Sequence, residues 1–102
     1  GWVKTGEDGK YSIYTIRPAP YPDTDIPSHI HIIIKEPDIS NEYWIDDLVF
    51  EDDKLLAPYR KRYPANNPRC GRPELSVTVK DSLQFAEHNF ILGLNIPDYP
   101  EK

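Results

Sequence analysis

The sequence predicts an all-β domain folded as an antiparallel β-sandwich. Two observations carry that expectation. About six short runs of branched and aromatic residues, several alternating with polar ones, are separated by Gly, Pro, Asn and Asp clusters. No stretch sustains a long helical period, and sheets that must bury one face against another form sandwiches. The length of 102 residues suits a single domain over 1–102.

The elements follow in order. Trp2–Thr5 and Lys10–Ile16 flank Gly6-Glu7-Asp8-Gly9, a sequence suited to a tight hairpin turn. In the second run Tyr11, Ile13 and Thr15 alternate with Ser12, Tyr14 and Ile16, a half-buried strand pattern. Three prolines then fall within 18–22, around Tyr21. They exclude helix and regular ladder and hold the backbone extended. Ser28–Lys35 reads as a strand with Ile30, Ile32 and Ile34 on one face and His29, His31 and Ile33 on the other. Tyr43–Phe50 reads as a further strand. A short helix is expected within Asp53–Tyr63, then a loop through Pro64, Pro68, Gly71 and Pro73. Leu75–Lys80 and Phe85–Leu92 form a hairpin around Asp81-Ser82, and the tail from Asn95 is irregular.

Composition excludes several functions. With 12 Lys and Arg against 17 Asp and Glu, a formal net charge of -5, the chain is a poor binder of nucleic-acid phosphates. No apolar run reaches the ~20 residues of a membrane span, so a soluble protein is expected. Cys70 is the single cysteine and forms no internal disulfide. A bacterial cytoplasm and export both remain open as compartments.

The chemistry concentrates at His29-Ile30-His31. Two histidines one residue apart on a strand point the same way, so both rings can meet one ion. Alternatively, both rings hydrogen-bond to backbone or water, and the triplet alone leaves these readings open. Glu36 follows at a cupin-like spacing, but Asp23 and Tyr43 stand where that motif needs glycines. Tyr21 is the better third ligand. A phenolate is a hard anionic donor whose deprotonation, from a pKa near ~10, takes a strongly polarising ion such as ferric iron. The prolines around it supply rigid presentation.

The string Gly9-Lys10-Tyr11-Ser12-Ile13-Tyr14-Thr15-Ile16-Arg17-Pro18-Ala19-Pro20-Tyr21-Pro22, followed by Pro27-Ser28-His29-Ile30-His31, resembles the signature of intradiol ring-cleavage dioxygenases. Phe50-Glu51-Asp52-Asp53 is similar to that family's Phe-Glu-Gly-Asp segment, and Asn89–Leu94 to its closing strand. The resemblance is specific over 9–31 and weak beyond 55. It implies a β-sandwich, a non-haem Fe(III) held by Tyr21, His29 and His31, and a catalytic role for Tyr21 as part of that centre. It further implies that a catecholic diol and dioxygen are the substrates. The ring opens between its two hydroxylated carbons, through an anhydride, to a cis,cis-muconate. Family members commonly form oligomers.

Three departures accompany the resemblance. The family's second, axial tyrosine corresponds to a position before Gly1, and so do its N-terminal strands, so a missing N-terminal segment is expected. Ile26 stands where the family usually carries Arg, and Asp47 where a Gln is expected; both are expected near the substrate. Losing a cation and gaining an anion alters the charge around a developing oxyanion. Two other readings therefore stay open. One is an iron-binding relative without ring cleavage. The other is a non-catalytic transthyretin-like or carboxypeptidase-regulatory-like module, which the Thr5–Tyr11 hairpin also resembles.

Elsewhere, His88 reads as a surface histidine and Arg60-Lys61-Arg62 as a solvated charge run. Trp2 and Trp44 read as core or interface aromatics, and Cys70 as a loop thiol.

Overall fold

A computed structural model describes residues 1–20 and 23–100. The chain is β-rich, with small sheets and one short helix. Its elements are β1 (His29–Ile30), β2 (Ile33–Ile34), β3 (Tyr43–Trp44), β4 (Leu48–Phe50), α1 (Leu56–Arg62), β5 (Glu74–Leu75), β6 (Thr78–Lys80) and β7 (Leu83–Phe85). Among the described residues no helix is long and apolar enough to cross a membrane.

The two central strands read from the sequence are each divided. β1 pairs antiparallel with β4, His29 opposite Val49 and Ile30 opposite Leu48. β2 pairs antiparallel with β3, Ile33 opposite Trp44 and Ile34 opposite Tyr43. Between these ladders two residues, His31 and Ile32, face three, Ile45, Asp46 and Asp47. One strand therefore carries an extra residue, as in a β-bulge, and the register shifts by one. The amide of Ile45 donates to the carbonyl of Ile32 beyond the shift. On the β1–β4 register, Asp47 lies opposite His31 and shares the face of both histidines.

β4 also pairs with β5 in parallel, Val49 beside Glu74 and Phe50 beside Leu75, so the arrangement is not purely antiparallel. The connection from β4 to β5 carries α1, the crossover that a parallel pair requires. The core is Leu48, Phe50 and Leu75, against which Ile30, Ile32, Val77 and Phe90 pack. The alternation is realised in part: Ile30 and Ile32 pack on the core, whereas Ile34 is not among the residues packed there.

A hairpin forms around Asp81-Ser82, but with other bounds than expected: β6 pairs with β7 (Leu83–Phe85), and residues 86–92, expected as its second strand, lie outside any strand. Asp81 and Ser82 both have positive φ, 52° and 66°, the backbone of the two-residue turn that matches strand twist. The N-terminal expectation is corrected. Residues 6–10 form a turn, closed by Gly9 N–H to the Gly6 carbonyl and Gly6 N–H to the Lys10 carbonyl, but no ladder extends from it. Tyr14 and Ile16 are 96% and 90% exposed, so the alternation there buries nothing. Trp2 is likewise exposed rather than in a core. Tyr11 alone in that run is anchored. Its hydroxyl donates to the His88 carbonyl at 2.8 Å and its ring stacks on Phe90.

A buried polar knot closes the far side. Glu36 is 3% exposed and accepts from the Tyr43 hydroxyl at 2.7 Å and from Tyr99 at 2.8 Å. Burial, then the Glu36 bond, pushes the Tyr43 hydroxyl far above the ordinary tyrosine range. Tyr99 reaches this place across Gly93, whose positive φ and close approach to the ring leave no room for a side chain.

Candidate metal and ligand site

His29 is half-buried and His31 exposed. The His29 Nδ1 lies 3.0 Å from the Pro27 carbonyl, an acceptor, which assigns its proton to Nδ1 and a lone pair to Nε2. That Nε2 stands 3.9 Å from Asp47 Oδ2. The His31 Nδ1 lies 2.8 Å from Asp47 Oδ1, the carboxylate-histidine arrangement that orients imidazoles at metal centres. Asp47 is thus bonded to His31 and lies close to His29, and the bulge aims it there. Among the described residues no three His, Cys, Asp or Glu side chains form a ligand cluster by themselves. Tyr21, expected from the sequence as the third ligand, lies outside the described residues. The donor chemistry fits the group: each imidazole has Nδ1 tied to an acceptor, leaving Nε2 as the nitrogen suited to an ion.

Ligation needs fixed geometry, and the strand is fixed by Asp53. Its carboxylate accepts from Ser28 N–H at 2.9 Å, the Ser28 hydroxyl at 3.1 Å and Leu55 N–H at 3.0 Å. The last bond is an Asx turn leading into α1. Burial pushes the Asp53 carboxyl up, but the bonds from Leu55 and Ser28 and the nearby Arg17 charge outweigh it. Its pKa lies below the ordinary value. Arg17 is joined to the same segment. Its guanidinium donates to both Asp52 oxygens and to Gln84, and lies 4.1 Å from the Phe50 ring centre. The bond to Asp52 raises the Arg17 pKa and lowers that of Asp52. The two stretches that carry the sequence resemblance, 9–31 and 50–53, are thus bonded to each other at two places.

Beside His29 opens a cavity of about 380 Å³, lined by Ile26, Pro27, His29, Asp46, Asp47, Val49, Tyr59 and Arg60. Both residues expected near a substrate, Ile26 and Asp47, line it. Sequence reasoning missed three participants. Asp53 was read only as part of the Phe50–Asp53 resemblance, although its position before a predicted helix suits an Asx turn. Arg17 was read only as the basic residue of a motif. Arg60, assigned to a solvated run, faces the cavity; no period in so short a helix marks it.

Other expectations are corrected. Glu36 does not join the histidines, because it is committed to Tyr43 and Tyr99. His88 is half-buried, its Nε2 2.7 Å from the Arg72 carbonyl. Cys70 is completely buried, and burial pushes its thiol up, which disfavours the nucleophilic thiolate. Trp44 is half-exposed under the Arg69 guanidinium, 3.4 Å from its ring centre.

No family model matches the chain, and no curated protein or solved structure is significantly similar to it.

Proposed function

We propose that this chain is the metal-holding part of a non-haem Fe(III) intradiol-type dioxygenase acting on a catecholic ring, with its small sheets belonging to a β-sandwich. The observation that carries this reading is the pair His29 and His31, each with Nδ1 tied to an acceptor, with His29 lining a cavity. The sequence Pro18-Ala19-Pro20-Tyr21-Pro22 supplies Tyr21 as the anionic donor in this reading.

In this reading Tyr21, His29 and His31 hold the ion. When bound, ferric iron supplies Lewis-acid activation and a template for the diol and dioxygen. The protein's own work is positioning. The Pro27 carbonyl and Asp47 set both imidazole tautomers, and Asp53 holds the strand that carries them. Ile26, Pro27, Val49 and Tyr59 form the apolar wall against which an aromatic ring packs. The Asp47 charge, 2.8 Å from His31, favours one second reading, an iron-binding relative without ring cleavage. A fixed anion there opposes negative charge developing on the ring.

The deciding experiment is the visible absorption spectrum after loading with ferric iron, compared with Tyr21→Phe. A tyrosinate-to-iron charge-transfer band that disappears in the variant is expected. A colourless chain that takes up no iron would overturn the reading and leave the non-catalytic module in its place.

A further inference from the structure

The register shift between the two ladders is held from outside the strands. Continuing the β1–β4 register places Asp47 opposite His31. The bond from the Ile45 amide to the Ile32 carbonyl, 3.2 Å, places Ile45 beside Ile32. Asp46 is therefore the extra residue of the bulge. A bulge interrupts the ladder and leaves its extra residue unpaired, so other bonds must fix its geometry. They come from Arg69. Its backbone amide donates to Asp46 Oδ1 at 2.9 Å, and its Nη1 donates to the Trp44 carbonyl at 3.1 Å. The guanidinium also lies over the Trp44 ring, 3.4 Å from its centre. Arg69 thus grips the bulged strand on both sides of the buried Ile45.

Arg69 is itself braced from behind. The next residue, Cys70, is completely buried with a positive φ of 61°, a backbone that persists only where the surroundings fix it. Its amide donates to the Leu94 carbonyl and its carbonyl accepts from the Ile91 amide, both at 3.0 Å. Asn95 Nδ2 donates to the Pro68 carbonyl at 3.0 Å. Residues 68–70 are therefore anchored on 91–95 while Arg69 reaches forward to the bulge. The bulge in turn delivers Asp47, whose Oδ1 lies 2.8 Å from His31 Nδ1. A slip of one residue in the pairing would turn Asp47 to the opposite face of the sheet.

We propose that Arg69 is a positioning residue for the histidine pair: by locking the bulge it keeps Asp47 on the face of His31, and so sets the tautomer and direction of that ring. The consequence for iron affinity rests on the preceding functional reading; the effect on the His31 ring does not. The amide hold on Asp46 survives any substitution at position 69. The guanidinium hold on Trp44 does not, and this makes the side chain open to test.

Ring-nitrogen NMR of the metal-free chain in mildly alkaline solution reads the His31 tautomer directly. The natural chain is expected to carry the proton on Nδ1, because the bond that this nitrogen makes to Asp47 sets the tautomer. Arg69→Ala should move part of the population to the Nε2 proton, and Arg69→Lys, which keeps a donor, should move less. Ferric-iron affinity, measured by competition with a chelator, is expected to fall about tenfold in Arg69→Ala. In an Asp47→Ala background the same substitution should cost nothing further, because residues that act through one another are not additive. A His31 tautomer unmoved by Arg69→Ala overturns the proposal. So does an equal loss of affinity with and without Asp47, the mark of a general structural role. A natural chain that takes up no ferric ion defeats the functional reading, and the His31 tautomer then decides the role of Arg69 alone. Urea unfolding confirms that each variant is folded before comparison, and Arg69→Lys carries both readouts if Arg69→Ala is not.

Discussion

At the scale of single residues, one aspartate joins the whole site. Asp47 bonds His31 and comes near His29 because an extra residue in its strand turns it onto their face. A carboxylate bonded to the Nδ1 of an imidazole orients the ring and strengthens its other nitrogen as a donor. Asp47→Ala is therefore expected to weaken iron binding by roughly 10–100-fold, measured by competition with a chelator of known affinity. Unchanged affinity would mean that His31 needs no orienting partner. Asp47 was legible in the sequence as a residue near the site, because a resemblance placed it there. Its bond to His31 was not, since it depends on a register shift that no local pattern announces.

Among the elements, β1 and α1 are held to one another through Asp53. Its carboxylate receives two bonds from Ser28 and one from Leu55, so the histidine strand and the helix entrance share one acceptor. Asp53→Ala leaves the buried Ser28 amide without that acceptor and is expected to cost about 1–3 kcal/mol in urea unfolding at neutral pH. The pH dependence follows from the lowered carboxyl pKa. A carboxylate titrating lower in the folded state stabilises the fold at pH above its unfolded value, near ~4. That contribution fades as pH falls through the lower folded value. The difference between the natural chain and Asp53→Ala should therefore shrink below about pH 4. A difference that holds constant to strongly acid pH would show that the ionised form contributes nothing. The short helix within Asp53–Tyr63 and the Asp81-Ser82 hairpin were both legible, because turn chemistry is local. The division of each central strand was not, because either run alone satisfies the alternation of one continuous strand.

In the molecule as a whole, the core lies on one side of the histidine strand, and a tyrosine-carboxylate knot ties the tail to β3. Leu48 is 6% exposed and central to the core cluster. Leu48→Ala is expected to destabilise by about 2–5 kcal/mol, read as a lowered urea midpoint with unchanged slope. A shift below half a kilocalorie would mean that the cluster is not the cooperative core. What the sequence by itself determined is whatever depends on neighbours a few residues away. This includes the β-rich class, the turns at 6–9 and 81–82, the short helix, and the common face of His29 and His31. Strand alternation and turn residues encode all of these locally. Tertiary structure alone decided the parallel partner of β4, the bulge that delivers Asp47, the Asp53 anchor and the place of Arg60 in the cavity wall. Each joins residues distant in the chain, and which distant partner a side chain meets depends on packing and register, not on its neighbours in the chain.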